Sequence, residues 1–180
     1  MKGMICRLAA IAAVLGALAI LAVPTARTEE TAAKFKIGDT APDFTLQDIG
    51  GRQVQLSLVN KGKVVLLAFW SLRCGACLSE IPFLEQLHKN YGAKGVAVLS
   101  VVTDGVDAAA TKTIMKEVGA SPSYPVLVDP EFTASDTYTN FVVPHTLVID
   151  RKGIIRYVHT GFETGTEKSY EAALVKALGS

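Results

Sequence analysis

Apolar residues downstream of residue 36 fall into runs and stripes that predict alternating strands and helices. Two uninterrupted apolar runs, residues 64–70 and 96–102, have the length of strands covered on both faces. Residues 43–46 and 53–56 alternate apolar and polar side chains on either side of Gly50 and Gly51. This second pattern predicts an N-terminal β-hairpin.

Helical periodicity follows the first of these runs. Apolar residues recur there at steps of three and four, which predicts a helix with one buried stripe. The stripe consists of Leu78, Ile81, Leu84, Leu87 and Tyr91, and the helix is expected to end at Gly92. Similar patterns predict further helices at 107–118, 131–138 and 167–178, and strands at 125–128, 146–150 and 154–159. Strands that alternate with helices favour an α/β sandwich around a mostly parallel sheet, with an antiparallel last pair.

The N-terminal segment differs from the rest in its hydropathy. Lys2 and Arg7 precede a stretch of 19 uncharged residues, 8–26. This pattern predicts an export signal over residues 1–26. The uncharged stretch is close to the roughly 20 residues that span a bilayer, so an uncleaved membrane anchor is an equally open interpretation. Residues 27–36 are read as a linker. A folded domain is then expected at 37–180, in the periplasm or on the extracytoplasmic face of the membrane.

Composition narrows the functional classes. A net charge of +1 without a basic cluster argues against a nucleic-acid partner, and 49% apolar residues argue against a disordered chain. Of the three cysteines, Cys6 falls in the predicted export signal. The exported domain therefore holds only Cys74 and Cys77, in a compartment where thiols tend to be oxidised.

These two cysteines lie between the apolar run 64–70 and the helix that follows it. The strand delivers Cys74 to the helix start, where unpaired backbone N–H groups and the helix dipole favour a thiolate. Cys77, one turn further on, can attack a mixed disulfide on Cys74 and release the product. The spacing therefore favours reversible thiol–disulfide exchange.

Three other interpretations of the pair stay open at this point. A structural disulfide closing so short a loop would stabilise the fold only weakly. A zinc site normally needs four ligands, and none of His88, His145 and His159 shows paired spacing with the cysteines. A Cu(I) metallochaperone needs only the two thiolates and one distant histidine.

Three segments together resemble the thioredoxin-like thiol:disulfide oxidoreductases of the ResA, TlpA and DsbE type, with an AhpC/TSA-like redoxin domain. They are residues 38–44 (GDTAPDF), the Phe-Trp-x-x-x-Cys-x-x-Cys segment at 69–77, and residues 143–150 (VPHTLVID) with Gly153. The resemblance implies a thioredoxin-like fold: a central mixed sheet flanked by helices, with an N-terminal hairpin and an αβ insertion before a cis-proline strand. It also implies an enzyme, presumed monomeric, that reduces disulfides in client proteins such as apocytochrome c. A membrane thiol donor would keep it reduced, and the Cys74–Cys77 disulfide would be its only redox group, without a metal.

The resemblance also implies residue roles. Cys74 is the expected nucleophile, Cys77 the resolving thiol, and Pro144 the cis-proline facing the disulfide. Client contacts are expected from Trp70, Arg73, Gly75, Ala76 and Val143. For Trp70, packing at the end of its strand stays open as a second interpretation. Glu80 has two open interpretations: an acid that disfavours the Cys77 thiolate or relays its proton, or a solvated acid that only stabilises the helix start.

Several positions depart from the family pattern. Arg73 replaces a common tryptophan, and Gly75 and Ala76 replace a pair that commonly contains proline. Ala68 stands where thioredoxin has a buried acid, and His145 is expected to face solvent from its strand. The second candidate function is a peroxidase of the alkyl hydroperoxide reductase type. Its Pro-x-x-x-Thr-x-x-Cys pattern is only half met, because Ser71 stands at the position of the threonine and no proline lies four residues before it.

Overall fold

A computed structural model describes residues 34–180, in which seven strands form one mixed sheet. The strands are β1 (Thr45–Asp48), β2 (Gln53–Gln55), β3 (Val64–Trp70), β4 (Val96–Val102), β5 (Val126–Val128), β6 (His145–Ile149) and β7 (Ile155–Thr160). Their order across the sheet is β2-β1-β5-β4-β3-β6-β7. The helices are α1 (Leu56–Asn60), α2 (Gly75–Tyr91), α3 (Ala108–Glu117), α4 (Thr133–Tyr138) and α5 (Thr166–Leu178).

The predicted buried strands β3 and β4 are confirmed at the centre of this sheet. They pair in parallel from Val64 opposite Val96 to Trp70 opposite Val102, and every residue of β3 is buried. The sheet as a whole is mixed, but the expectation that it is mostly parallel is wrong, since four of its six strand pairings are antiparallel. An apolar run indicates burial on both faces and does not indicate strand direction. The antiparallel β6 is as completely buried as β3.

Helices cover both faces of β3, which explains its uninterrupted apolar sequence. Leu66, Ala68 and Trp70 belong to a core cluster with the buried residues of α2 and α5. The alternate residues Val65, Leu67 and Phe69 belong to a second cluster with residues of α1 and α4. Successive side chains of a strand point to opposite faces, so the one strand contributes to both cores.

The predicted hairpin is present, with its boundaries displaced. β1 and β2 pair in antiparallel register, but β1 begins two residues later than expected. Helix α1, which the sequence reasoning missed, begins at Leu56, the last residue of the predicted second strand. Only Leu56 and Asn60 of this five-residue helix are buried, and they are four residues apart. So short a helix leaves too little periodicity to be recognised.

The folded domain includes Phe35, which belongs to the predicted linker. The ring of Phe35 packs against Tyr138 of α4, with the ring centroids 5.3 Å apart, and so adds to the core cluster on that face of the sheet. The predicted export signal and the earlier part of the linker lie outside the described residues. Among residues 34–180, no helix combines the length and the hydropathy needed to cross a membrane.

Candidate active site

The loop between β3 and α2, residues 71–73, is called the active-site loop below. Asp104, which lies just past the end of β4, accepts hydrogen bonds from Ser71 Oγ and from the Leu72 amide, both at 2.8 Å. These two bonds fix the loop at the edge of the sheet where β3 ends. Sequence reasoning missed Asp104. The available signal was an acidic residue soon after a buried strand that neighbours β3.

Cys74 and Cys77 form a disulfide at the start of α2, with their Cα atoms 5.2 Å apart. Cys74 is the N-cap residue, and the amide of Cys77 donates a hydrogen bond to its sulfur at 3.1 Å. The Cys74 side chain is half-buried, whereas Cys77 is completely buried. An incoming disulfide can therefore reach Cys74 but not Cys77.

The peptide bond between Val143 and Pro144 is cis, as predicted. Strand β6, which begins directly after it, pairs with β3 and sets His145 opposite Phe69. This register brings the proline segment next to the cysteines, and the Val143 carbonyl oxygen lies 3.9 Å from Cys74 Sγ. Val143 is half-buried and Pro144 is buried.

The residues expected to contact clients divide into two groups. Arg73, Gly75 and Ala76 are exposed around Cys74. Trp70 is only 2% exposed, and its indole N–H has no hydrogen-bond partner among the described residues. Of the two interpretations of Trp70, the structure shows packing at the strand end, because its side chain points from the end of β3 into the core that includes α2 and α5.

Glu80 is buried, with 1% of its surface exposed, so the interpretation as a solvated acid is wrong. Its Oε1 accepts hydrogen bonds from the Tyr170 hydroxyl at 2.8 Å and the Thr146 hydroxyl at 2.9 Å. Burial raises the pKa of the carboxyl from 4.5 to about 7, and the two hydrogen bonds oppose that rise. Cys77 and Glu80 are both buried, three positions apart on one helix, so they are neighbours on its inner face.

His145 is also buried, which corrects the expectation that it faces solvent. It is 4% exposed, on a strand whose five residues are all buried. Its Nδ1 lies 2.8 Å from the Thr160 hydroxyl oxygen. Burial, assisted by the nearby charge of His159, lowers the pKa of His145 to about 4. The imidazole is therefore neutral at pH 7.

Metal ligation was one of the alternatives for the cysteine pair. Within residues 34–180, no three side chains of His, Cys, Asp or Glu are close enough to hold a metal ion together.

A Cys-x-x-Cys disulfide at a helix start, beside a cis-proline on a mixed α/β sheet, defines a thioredoxin-like thiol–disulfide oxidoreductase. The sequence model of the AhpC/TSA family matches residues 37–158, and the chain belongs to that family. Thiol-disulfide oxidoreductase ResA of Geobacillus kaustophilus is 32% identical over 137 residues, which are 76% of this chain and 75% of the relative.

Two solved structures extend the comparison. A putative thiol:disulfide interchange protein DsbE from Chlorobium tepidum has a TM-score of 0.73 and 31% identity, covering 81% of this chain and 99% of its own. The exposed lipoprotein thioredoxin Etrx1 of Streptococcus pneumoniae has a TM-score of 0.64 and 31% identity, covering 75% and 99%. The chain is thus a thiol–disulfide oxidoreductase of the ResA and DsbE type.

Proposed function

We propose that the enzyme reduces disulfides in client proteins on the extracytoplasmic side of the membrane, and that apocytochrome c is among its clients. The observation that carries the proposal is the asymmetry of the two sulfurs. Cys74 is half-buried, and its sulfur accepts a hydrogen bond from a backbone amide. Cys77 is completely buried, near the buried carboxyl of Glu80. The Cys74 sulfur can react with a client disulfide, whereas the Cys77 sulfur can only attack the mixed disulfide that results.

The proposed direction of electron flow rests on the resemblance to the ResA, TlpA and DsbE type, and the surroundings of Cys77 support it. A protein that strongly stabilises its thiolate favours its dithiol form and acts as an oxidant. Here Cys77 lies in an apolar core cluster one turn from Glu80, and both features disfavour its thiolate. Ionisation of Cys77 therefore adds nothing to the stability of the dithiol form, and only a Cys74 thiolate at the helix start favours that form.

Reduction of a client proceeds in two exchanges. The Cys74 thiolate attacks one sulfur of the client disulfide, so the client S–S bond breaks, a mixed disulfide forms, and the other client sulfur leaves as a thiolate. Cys77 then loses its proton and attacks Cys74 Sγ, which releases the second client thiolate and closes the Cys74–Cys77 bond. The client gains two electrons from the enzyme, and a membrane thiol donor then supplies two electrons that reduce the Cys74–Cys77 disulfide again.

We assign Glu80 as the general base that accepts the proton of Cys77. A general base works best when its pKa is near the working pH, and burial raises the pKa of Glu80 to about 7. The carboxyl is then partly ionised at neutral pH and can accept the proton as Cys77 attacks. Tyr170 and Thr146 hold one carboxyl oxygen, while Oε2 has no partner among the described residues.

The location is supported by the sequence and by one relative. Residues 1–26 have the charge and hydropathy pattern of an export signal or anchor. The pneumococcal relative is named as an exposed lipoprotein thioredoxin. Apocytochrome c as a client is proposed from the resemblance to the ResA, TlpA and DsbE type.

The test is to trap the client in cells. The Cys77→Ser variant has no thiol to resolve the mixed disulfide, so client adducts on Cys74 should accumulate and be identified by mass without reductant. The Cys74→Ser/Cys77→Ser double variant is the matched control and should trap nothing. The proposal fails if Cys77→Ser forms no adducts and the wild type does not reduce insulin. Fast peroxide consumption, stoichiometric with Cys74 oxidation, would instead indicate the peroxidase.

A further inference from the structure

An exposed aromatic side chain lies on the chain just before the cis-proline. Phe141 is 68% exposed and Val142 is 40% exposed, and Val143 follows them. Large apolar side chains are individually common on protein surfaces. Exposure alone therefore says little about Phe141, and its backbone provides the stronger evidence.

Phe141 adopts a left-handed backbone conformation with φ of 58°, and Phe132 does so with φ of 55°. This conformation is unfavourable for a bulky L-residue and persists only where the surrounding structure imposes it. The Phe141 amide donates a hydrogen bond to Thr139 Oγ1 at 3.1 Å, and that hydroxyl donates to the Ser135 carbonyl at 3.0 Å. The turn is therefore anchored on α4.

The two phenylalanines also support each other. Their rings meet edge to face with centroids 6.4 Å apart, which leaves Phe141 outermost. The Phe132 ring in turn packs closely against Gly105, because a Cβ atom added to this glycine would lie only 2.4 Å from the ring. The fold thus holds Phe141 in solvent at a conformational cost, which is the pattern expected at a binding site.

The position of this patch relative to the reacting sulfur indicates what covers it. The Val143 carbonyl lies 3.9 Å from Cys74 Sγ, and Phe141 is two residues earlier, within about 7 Å of chain. A client joined to Cys74 by a disulfide must place the residues next to its own cysteine within reach of this patch.

We propose that Phe141 and Val142, backed by Phe132, form a docking patch for large apolar side chains that flank the client cysteine. The inference rests on the proposed function, because it requires Cys74 to attack client disulfides. The occupant is an extended segment of the client. A second copy of this chain does not fit, since two exposed side chains are far fewer than the 20 to 30 residues per partner, or about 800 Å², of a stable dimer interface.

The test compares two peptide disulfides with the reduced Cys77→Ser protein. Each is a symmetric dimer of a short peptide, with the cysteine flanked by leucines in one and by serines in the other. The Cys74 thiolate attacks the dimer, forms a mixed disulfide with one peptide and releases the other as a thiolate. Intact mass against time gives the rate, and 2-hydroxyethyl disulfide serves as a small disulfide without flanking residues.

The informative substitution is Phe141→Asn, because asparagine tolerates the left-handed conformation while the apolar ring is removed. We expect it to slow the reaction with the leucine peptide by about three- to tenfold, the range for losing one apolar rim contact. Reactions with the serine peptide and the small disulfide should not change. Leu58→Asn is the matched control, since Leu58 is also 68% exposed but precedes the opposite end of β3.

Two negative results have different meanings. If Phe141→Asn reacts with the leucine peptide as fast as the parent protein, and both react with the small disulfide, the docking patch is refuted and the proposed function stands. If the parent protein reacts with none of the three disulfides, the proposed function fails and the docking patch fails with it. Cooperative thermal unfolding well above the assay temperature in every variant shows that neither result reflects misfolding.

Discussion

Replacing Glu80 with glutamine should remove a pH dependence from the stability of the oxidised enzyme. Glutamine keeps an oxygen that can accept the hydrogen bonds from Tyr170 and Thr146, but it cannot ionise. In the wild type, burial raises the pKa of Glu80 from 4.5 in its ordinary environment to about 7. The folded protein therefore holds this proton more tightly than the unfolded chain does.

The sign and size of the effect follow from that difference. Wild-type stability from this group is fully present below pH 4.5, is lost progressively as the pH rises to about 7, and stays low above it. At about 1.4 kcal/mol for each pH unit in that interval, the loss is on the order of 3 kcal/mol. We therefore expect Glu80→Gln to match the wild type near pH 4.5 and to exceed it by up to that amount at pH 8.

The assay is urea unfolding of both proteins in their disulfide forms, at several pH values from 4.5 to 9. Keeping the disulfide removes thiol ionisation from the comparison, and the other titrating groups are common to both proteins. Glu85→Gln is a control on the same helix. The pKa of Glu85 is lowered to about 2, first by the Ser123 hydroxyl, so its difference from wild type should be constant above pH 6. A constant difference between Glu80→Gln and wild type would refute the reasoning.

Three further substitutions test the surroundings of the site. Tyr170→Phe removes a donor to the carboxylate, so the pKa of Glu80 should rise further and the pH interval of stability loss should move upward. Asp104→Ala leaves two donors of the active-site loop unpaired, and urea unfolding should show a loss of about 2 kcal/mol and slower mixed-disulfide formation. Gly105→Ala is strained at φ of 67° and meets the Phe132 ring, so we expect a loss of about 1–3 kcal/mol in the unfolding free energy. Unchanged unfolding in any of the three would contradict the contact concerned.

The predictable parts of the fold are those that one strand or helix specifies locally. The boundaries of β3 and β4 match the apolar runs because both strands are covered on two faces. The direction of β6 depends on distant pairing with β3, and periodicity contains no information about it. Asp48 shows a related limit, because it is 2% exposed at the end of β1 and the residue type alone does not indicate that a charged side chain is buried. Its carboxylate is satisfied by Arg52 and the Gly50 amide.

The site shows the same division. Cys74, Cys77 and the cis bond before Pro144 were found from short motifs. The burial of Glu80 was not predictable from its helix position, because its partners Thr146 and Tyr170 come from β6 and α5, 66 and 90 residues away. The same holds for Trp70 and His145, whose exposure is decided by neighbouring elements of the sheet and its covering helices.

The equilibrium potential of the Cys74–Cys77 pair tests the central claim, that this oxidoreductase is a reductant. The protein is equilibrated with glutathione buffers of known potential, and the reduced and oxidised fractions are quantified by mass after alkylation. The account predicts a potential of about −250 mV or lower, close to that of reducing thioredoxins. A value of about −180 mV or higher would place the pair among the oxidants and isomerases, and would contradict the assignment of electron flow from enzyme to client.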